Sequence, residues 1–163
     1  MRMHLEHHYD GDVETIFALI TDPDFMTRKY SAIGSTNVAV DRSDEDAGGC
    51  ELVMRRTVTL DLPGFAKRVM KPSNTAVQTE NWAAADANGA RVCAYHVEIQ
   101  GMPSKVTGTV TLSAEGTGTK QDIEADVKVS IPLVGGKLEK FAVETAKTDI
   151  ADQFEFTVKE LAG

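Results

Sequence analysis

From Lys137 to Leu161 the chain contains neither Gly nor Pro. Val134, Leu138, Ala142, Ala146, Ile150, Phe154 and Val158 recur every four residues there, and Phe141, Thr145 and Leu161 thicken the stripe. That spacing keeps the apolar residues on one side of a helix. It predicts a C-terminal helix of about 25–28 residues, about 40 Å long. By its length of 163 residues the chain is a single domain, 1–163, with one core. A rod that long cannot be enclosed in such a domain and must lie across a sheet made by the residues before it. A sheet curled around one helix leaves a gap between the two.

Those earlier residues read as strands. Residues 2–9 are a first strand. Asp10-Gly11-Asp12 is turn and cap chemistry, followed by Val13, Ile16, Phe17 and Ile20 at helical spacing. Pro23 ends that helix. A second short helix, about 23–31, carries Phe25, Met26 and Tyr30. Strands follow at about 36–43, 48–60, 74–85, 90–100, 105–114 and 118–131. They are separated by Asp/Gly-rich or Pro-containing turns such as Asp86-Ala87-Asn88-Gly89 and Gly101-Met102-Pro103-Ser104. Connections this short make the strands antiparallel. The predicted class is therefore α+β, a seven-stranded antiparallel sheet around a long C-terminal helix, with two short helices after the first strand.

Alternation within the strands orients their side chains. Val106, Gly108, Val110 and Leu112 alternate with Lys105, Thr107, Thr109 and Thr111. Ile123, Ala125, Val127 and Val129 alternate with Asp122, Glu124, Asp126 and Lys128. A turn near Thr117 places Val110 beside Ile123 and Leu112 beside Gln121, with both apolar sets on one face. A turn at Met102-Pro103 places Val110 beside Tyr95 and Leu112 beside Cys93. The Asn88-Gly89 turn places Trp82 opposite Cys93 or Tyr95, and Glu80 opposite Tyr95 or Val97. By the same parity Gln78, Glu80 and Trp82 face inward, as do Cys50, Leu52, Met54, Arg56 and Val58.

The balance of charge excludes some partners. Formal net charge is −8 and the pI is near 5.0, which argues against nucleic acid or an anionic membrane as main partner. No apolar run approaches the 18 or so residues of a transmembrane helix, so stable membrane insertion is not expected. The first eight residues lack the apolar centre of a signal peptide. The two cysteines make no disulfide framework, and a cytoplasmic location is the expectation.

The whole chain resembles the helix-grip fold of the START-like, Bet v 1-like superfamily, which includes polyketide cyclases and lipid-transfer domains. The stretch Val13 to Phe25 looks like the first helix with its Asp-Pro ending. Gln78-Thr79-Glu80-Asn81-Trp82, Gly101-Met102-Pro103 with Gly108-Thr109, and Ile131-Pro132-Leu133-Val134-Gly135-Gly136-Lys137-Leu138-Glu139 are similar to the uncharacterised bacterial DUF2505 family. The resemblance implies a fold and a cavity. It carries over no catalytic motif, because the scaffold hosts carriers, cyclases, hydrolases and co-chaperones alike.

Arg56, Gln78, Glu80, Trp82, Tyr95 and Gln121 form a polar set on the inner face. A sealed apolar core does not hold such groups unpaired, so they line a cavity or pair with one another; the alternative is exposure at the sheet rim. An Arg56–Glu80 ion pair between consecutive strands is one expectation. The helix stripe is large at both ends and small at Ala142, Thr145 and Ala146, and the sheet opposite is small at Gly108 and Ala125. Unfilled volume is expected there, a cavity of about 300–1,000 Å³. The expected lining is Met54, Arg56, Gln78, Glu80, Trp82, Tyr95, Gly108, Ala125, Ala142 and Ala146.

His4, Glu6 and His8 share one face of the first strand, but the spacing fits solvated edge polarity better than a metal site, and no metal is assigned. His7 shares its parity with Met3, Leu5 and Tyr9 and reads as a core residue. Cys50 and Cys93 face inward two strands apart, about 9–10 Å, too far for a disulfide.

The function this reading favours is binding or transport of a small hydrophobic or amphipathic molecule, such as a lipid, polyketide or isoprenoid. No cofactor is called for, and the chain is read as a monomer or weak homodimer. One alternative is an aromatase/cyclase-like enzyme in which Arg56, Glu80 or Tyr95 gives acid–base help. Another is a co-chaperone-like interaction domain with a filled cavity.

Overall fold

Two aspartates start the two short helices. In a computed structural model, which describes residues 1–163 apart from the side chain of Arg42, α1 spans Val13–Ile20 and α2 spans Pro23–Ala32. The Asp12 carboxylate accepts the Thr15 N–H at 2.9 Å and the Asp22 carboxylate accepts the Phe25 N–H at 2.8 Å. Pro23 ends α1 and, at the first turn of α2, needs no N–H partner.

The strands are β1 (Arg2–Tyr9), β2 (Thr36–Asp46), β3 (Gly49–Thr59), β4 (Ser73–Trp82), β5 (Arg91–Ile99), β6 (Ser104–Glu115) and β7 (Gly118–Val129). They form one antiparallel sheet in the order β1-β7-β6-β5-β4-β3-β2. β1 and β2 are its two edges, so α1 and α2 carry the chain from one edge to the other. The 28-residue α3 (Gly135–Ala162) then lies across the same face. A single 3₁₀ turn, Ala66–Arg68, interrupts the β3–β4 connection.

The β6–β7 register is the predicted one, with Val110 opposite Ile123 and Leu112 opposite Gln121. The β5–β6 register differs by two residues: Val110 stands opposite Cys93, and Tyr95 opposite Gly108. The connection centres on Gly101-Met102, one residue earlier than Met102-Pro103. Gly101 takes φ +80° there, and the Met102 N–H closes the turn on the Ile99 carbonyl at 3.2 Å. A shift of two keeps every side chain on its face. β2 also runs three residues further than predicted, because Ala47 (φ 50°) and Gly48 (φ 84°) suffice for a two-residue turn with both φ positive.

The stripe on α3 is corrected at its far end. Leu138, Val143 and Thr157 are buried, whereas Val158 is 40% exposed. A four-residue step turns about 400°, so a strict four-residue repeat drifts about 40° per step. Six steps from Val134 carry Val158 off the buried face, and Thr157 takes its place.

Candidate functional site

Between the sheet and the C-terminal half of α3 lies a cavity of about 220 Å³, partly open to solvent. This is smaller than the sequence suggested. Its apolar wall includes Val97, Val106, Val110, Ile123, Ile150 and Phe154. Its polar wall is Lys29, Tyr30, Arg56, Gln78 and Glu80, with Gln121, Asp149 and Gln153 also on the lining. A second, more polar opening of about 310 Å³ adjoins it and shares Tyr30, Arg56, Asp149 and Gln153.

Of the ten residues expected to line the cavity, Arg56, Gln78, Glu80, Trp82, Tyr95 and Ala146 do so. Met54, Gly108, Ala125 and Ala142 do not. Met54 is fully covered within the cluster that α2 brings onto the sheet through Phe25, Met26 and Tyr30. Gly108 lies beneath the ring of Tyr95, its register partner, whose Cε1 and Cζ would stand 2.9 Å from any Cβ at that position. Ala125 and Ala142 pack with Met3, Val127 and Val143. Small residues on both surfaces let helix and sheet approach there, so the contact closes where an opening was expected.

Tyr30, Arg56, Gln78 and Glu80 of the polar wall form one hydrogen-bonded chain with Trp82. Arg56 Nη1 donates to Gln78 Oε1 at 3.0 Å. Gln78 Nε2 donates to Glu80 Oε1 at 2.7 Å and to the Tyr30 hydroxyl oxygen at 3.3 Å. Trp82 Nε1 donates to Glu80 Oε2 at 2.9 Å. The expected Arg56–Glu80 ion pair is therefore replaced by a bridge through Gln78. Register explains this: Ala76 stands opposite Arg56, and Glu80 lies four residues further along β4, about 13 Å away along the strand. The Arg56 guanidinium instead sits over the Tyr30 ring, 4.4 Å from its centroid.

Both Glu80 oxygens accept from neutral N–H donors. In Glu80→Gln one acceptor becomes an NH₂ that must face Gln78 or Trp82 donor to donor. We expect a loss of about 1–3 kcal/mol in urea unfolding; an unchanged midpoint would show that the network contributes nothing to the fold.

Burial governs protonation here. It pushes the Tyr95 hydroxyl up to about 12, with Cys93, Tyr30 and Glu80 adding to the effect. Tyr95 is thus a neutral hydroxyl at pH 7, a donor and not a base. Burial raises the Asp149 carboxyl, which Arg56 opposes and Asp152 reinforces. Burial also raises both thiols, Cys93 more than Cys50. Both cysteines are free, with Trp82 opposite each of them in the sheet. On β1, His7 stacks on Phe154 at 4.3 Å, whereas His4 pairs with Asp122 and His8 with Glu6 and Glu115 on the exposed face.

Lys29, Tyr30, Asp149 and Gln153 were not among the expected lining residues. Lys29 had a readable signal: it shares a helix face with Phe25, Met26 and Tyr30, all buried. Asp149 and Gln153 flank Ile150 and Phe154 on the inner stripe of α3.

Residues 4–161 match the family described as a protein of unknown function, DUF2505. The chain belongs to that family. It is 25% identical over 142 residues to the uncharacterized protein Rv0481c of Mycobacterium tuberculosis, covering 81% of this chain and 80% of the relative. Among solved structures, TTHA0849 from Thermus thermophilus superposes with a TM-score of 0.66 at 16% identity, over 98% of this chain and 95% of the other. The Zhui aromatase/cyclase from Streptomyces superposes with a TM-score of 0.66 at 12% identity, over 98% and 93%. These likenesses are in fold: this DUF2505 member has the helix-grip architecture, an antiparallel sheet curled around a long C-terminal helix. Among the described residues no helix is long and apolar enough to cross a membrane.

Proposed function

We propose that this protein binds a small amphipathic molecule, of lipid, polyketide or isoprenoid kind, in the cavity between the sheet and α3. The observation that carries this reading is the two-sidedness of the cavity. Aliphatic side chains from β5, β6, β7 and α3 form one wall, and the Arg56–Gln78–Glu80 chain with Tyr30 forms the other. An apolar body and a polar end are matched by those two walls. At about 220 Å³ the cavity is below the usual range for drug-sized ligands, so it holds a short chain or ring, with any longer portion leaving through the open side.

Ala146 borders the cavity from α3, which makes Ala146→Phe the decisive variant. The neutral fluorophore 1-aminoanthracene is expected to bind the wild type saturably. Ala146→Phe is expected to abolish that signal while leaving the melting temperature nearly unchanged. If the wild type shows no saturable binding and the variant is destabilised by about 1–3 kcal/mol, the space is filled and the interaction-domain reading takes over.

A further inference from the structure

Lys29 is the one lysine on the buried face of α2, and it is only 8% exposed. Its ammonium lies 5.6 Å from the Phe25 centroid and 5.0 Å from the Tyr30 centroid, and the residue lines the cavity. Among the described residues it has no hydrogen-bond acceptor and no carboxylate partner. Two aromatic faces attract a cation, yet they leave its three N–H donors unspent. A buried charge in that condition is costly unless something accepts from it.

Arg56, on β3, is in a similar condition. Its guanidinium sits over the same Tyr30 ring, and it donates to Gln78. Five N–H groups make it a rich donor, and no carboxylate pairs with it among the described residues. The acid nearest in the network is already occupied: both Glu80 oxygens accept, from Gln78 and Trp82. The cavity therefore presents two cations whose charge no neighbouring carboxylate neutralises by contact.

Resting on the reading of this cavity as a ligand site, we propose that its ligand is a monocarboxylate whose acid group is held by Lys29 and Arg56, with the hydrocarbon part against Val106, Val110 and Ile123. A carboxylate suits the place better than a phosphate. Glu80 and Asp149 line the same small cavity, so a second negative charge on the ligand is repelled. A flat two-oxygen acceptor also matches the guanidinium fork.

The test compares octanoate, octan-1-ol and octyl phosphate by isothermal titration calorimetry. The wild type is expected to bind octanoate at least about tenfold more tightly than octan-1-ol, and more tightly than octyl phosphate. Lys29→Met should remove that preference while octan-1-ol binding persists, and Lys29→Arg should keep it. The preference in the wild type stands as a test even where Lys29→Met does not fold. Equal affinity for octanoate and octan-1-ol overturns the carboxylate seat and leaves the cavity reading intact. Tighter binding of octyl phosphate overturns the choice of carboxylate. No binding of any of the three, together with no 1-aminoanthracene signal, overturns the cavity reading and this inference with it.

Discussion

Phe25→Ala should lose about 3–5 kcal/mol of stability, the range for removing a buried ring from a packed core. Phe25 has no exposed surface and belongs to the cluster that joins α2 to β3 and α3. Its ring meets Phe156 of α3 at 5.7 Å. For a domain of this size each kcal/mol lowers the melting temperature by about 2–4 °C, so calorimetry should show a drop of about 6–20 °C. The effect reaches the cavity, because Lys29, one turn further along the helix, holds its ammonium against this ring and that of Tyr30. Val158→Ala, on the exposed side of α3, should change stability by no more than about 0.5 kcal/mol. If the two substitutions cost the same, α2 is not packed as described.

Arg91→Met should cost about 2–4 kcal/mol, although a methionine nearly matches the side chain in length. The buried guanidinium ties three parts of the chain together. It donates to the Gly48 carbonyl in the β2–β3 turn, to the Ala83 carbonyl at 3.3 Å after β4, and to both Glu14 oxygens on α1 at 3.0 Å. It also lies 4.0 Å from the Phe17 ring centroid. Bonds from a charged donor contribute about 1.5–3 kcal/mol each when buried, and less here, because Gly48 and Ala83 are exposed residues. Two other features hold the total down: its Nε–H finds no acceptor, and the Glu14 side chain is 57% exposed. The Glu14 share is therefore about 0–1 kcal/mol. Urea unfolding of Glu14→Gln should show that small loss and Arg91→Met the large one. Equal losses would place the effect in the ion pair and not in the two carbonyls.

The fold was legible in the sequence because its signals are local and repeat. Asp12, Asp22 and Pro23 are a cap, a cap and a first-turn proline wherever they stand ahead of an apolar helical pattern. Alternation in β6 and β7 assigns faces without knowledge of register, and for that reason the two-residue difference between β5 and β6 changed no face assignment. The long Gly/Pro-free segment could only be a helix. Its stripe was less legible, since an apparent repeat of four conceals a drift that a helix of 28 residues makes large.

The site was legible only in part. Strand parity placed Arg56, Gln78, Glu80, Trp82 and Tyr95 on the inner face, and all five line the cavity. Parity says nothing of distance along a strand, so it could not distinguish an Arg56–Glu80 contact from the bridge through Gln78. Residue size misled at Ala125 and Ala142, because small side chains open a space only if the surfaces that carry them stay apart.

By itself, then, the sequence determined the elements, their order, the antiparallel pairing and the face on which each strand side chain stands. All of these follow from backbone periodicity and turn chemistry, which act over a few residues. Tertiary structure alone decided how closely α3 approaches β7, which inward polar groups touch, and that Asp149 and Gln153 border the cavity. Those depend on the placement of surfaces far apart in the chain, where a shift of one side-chain diameter separates a closed contact from a cavity.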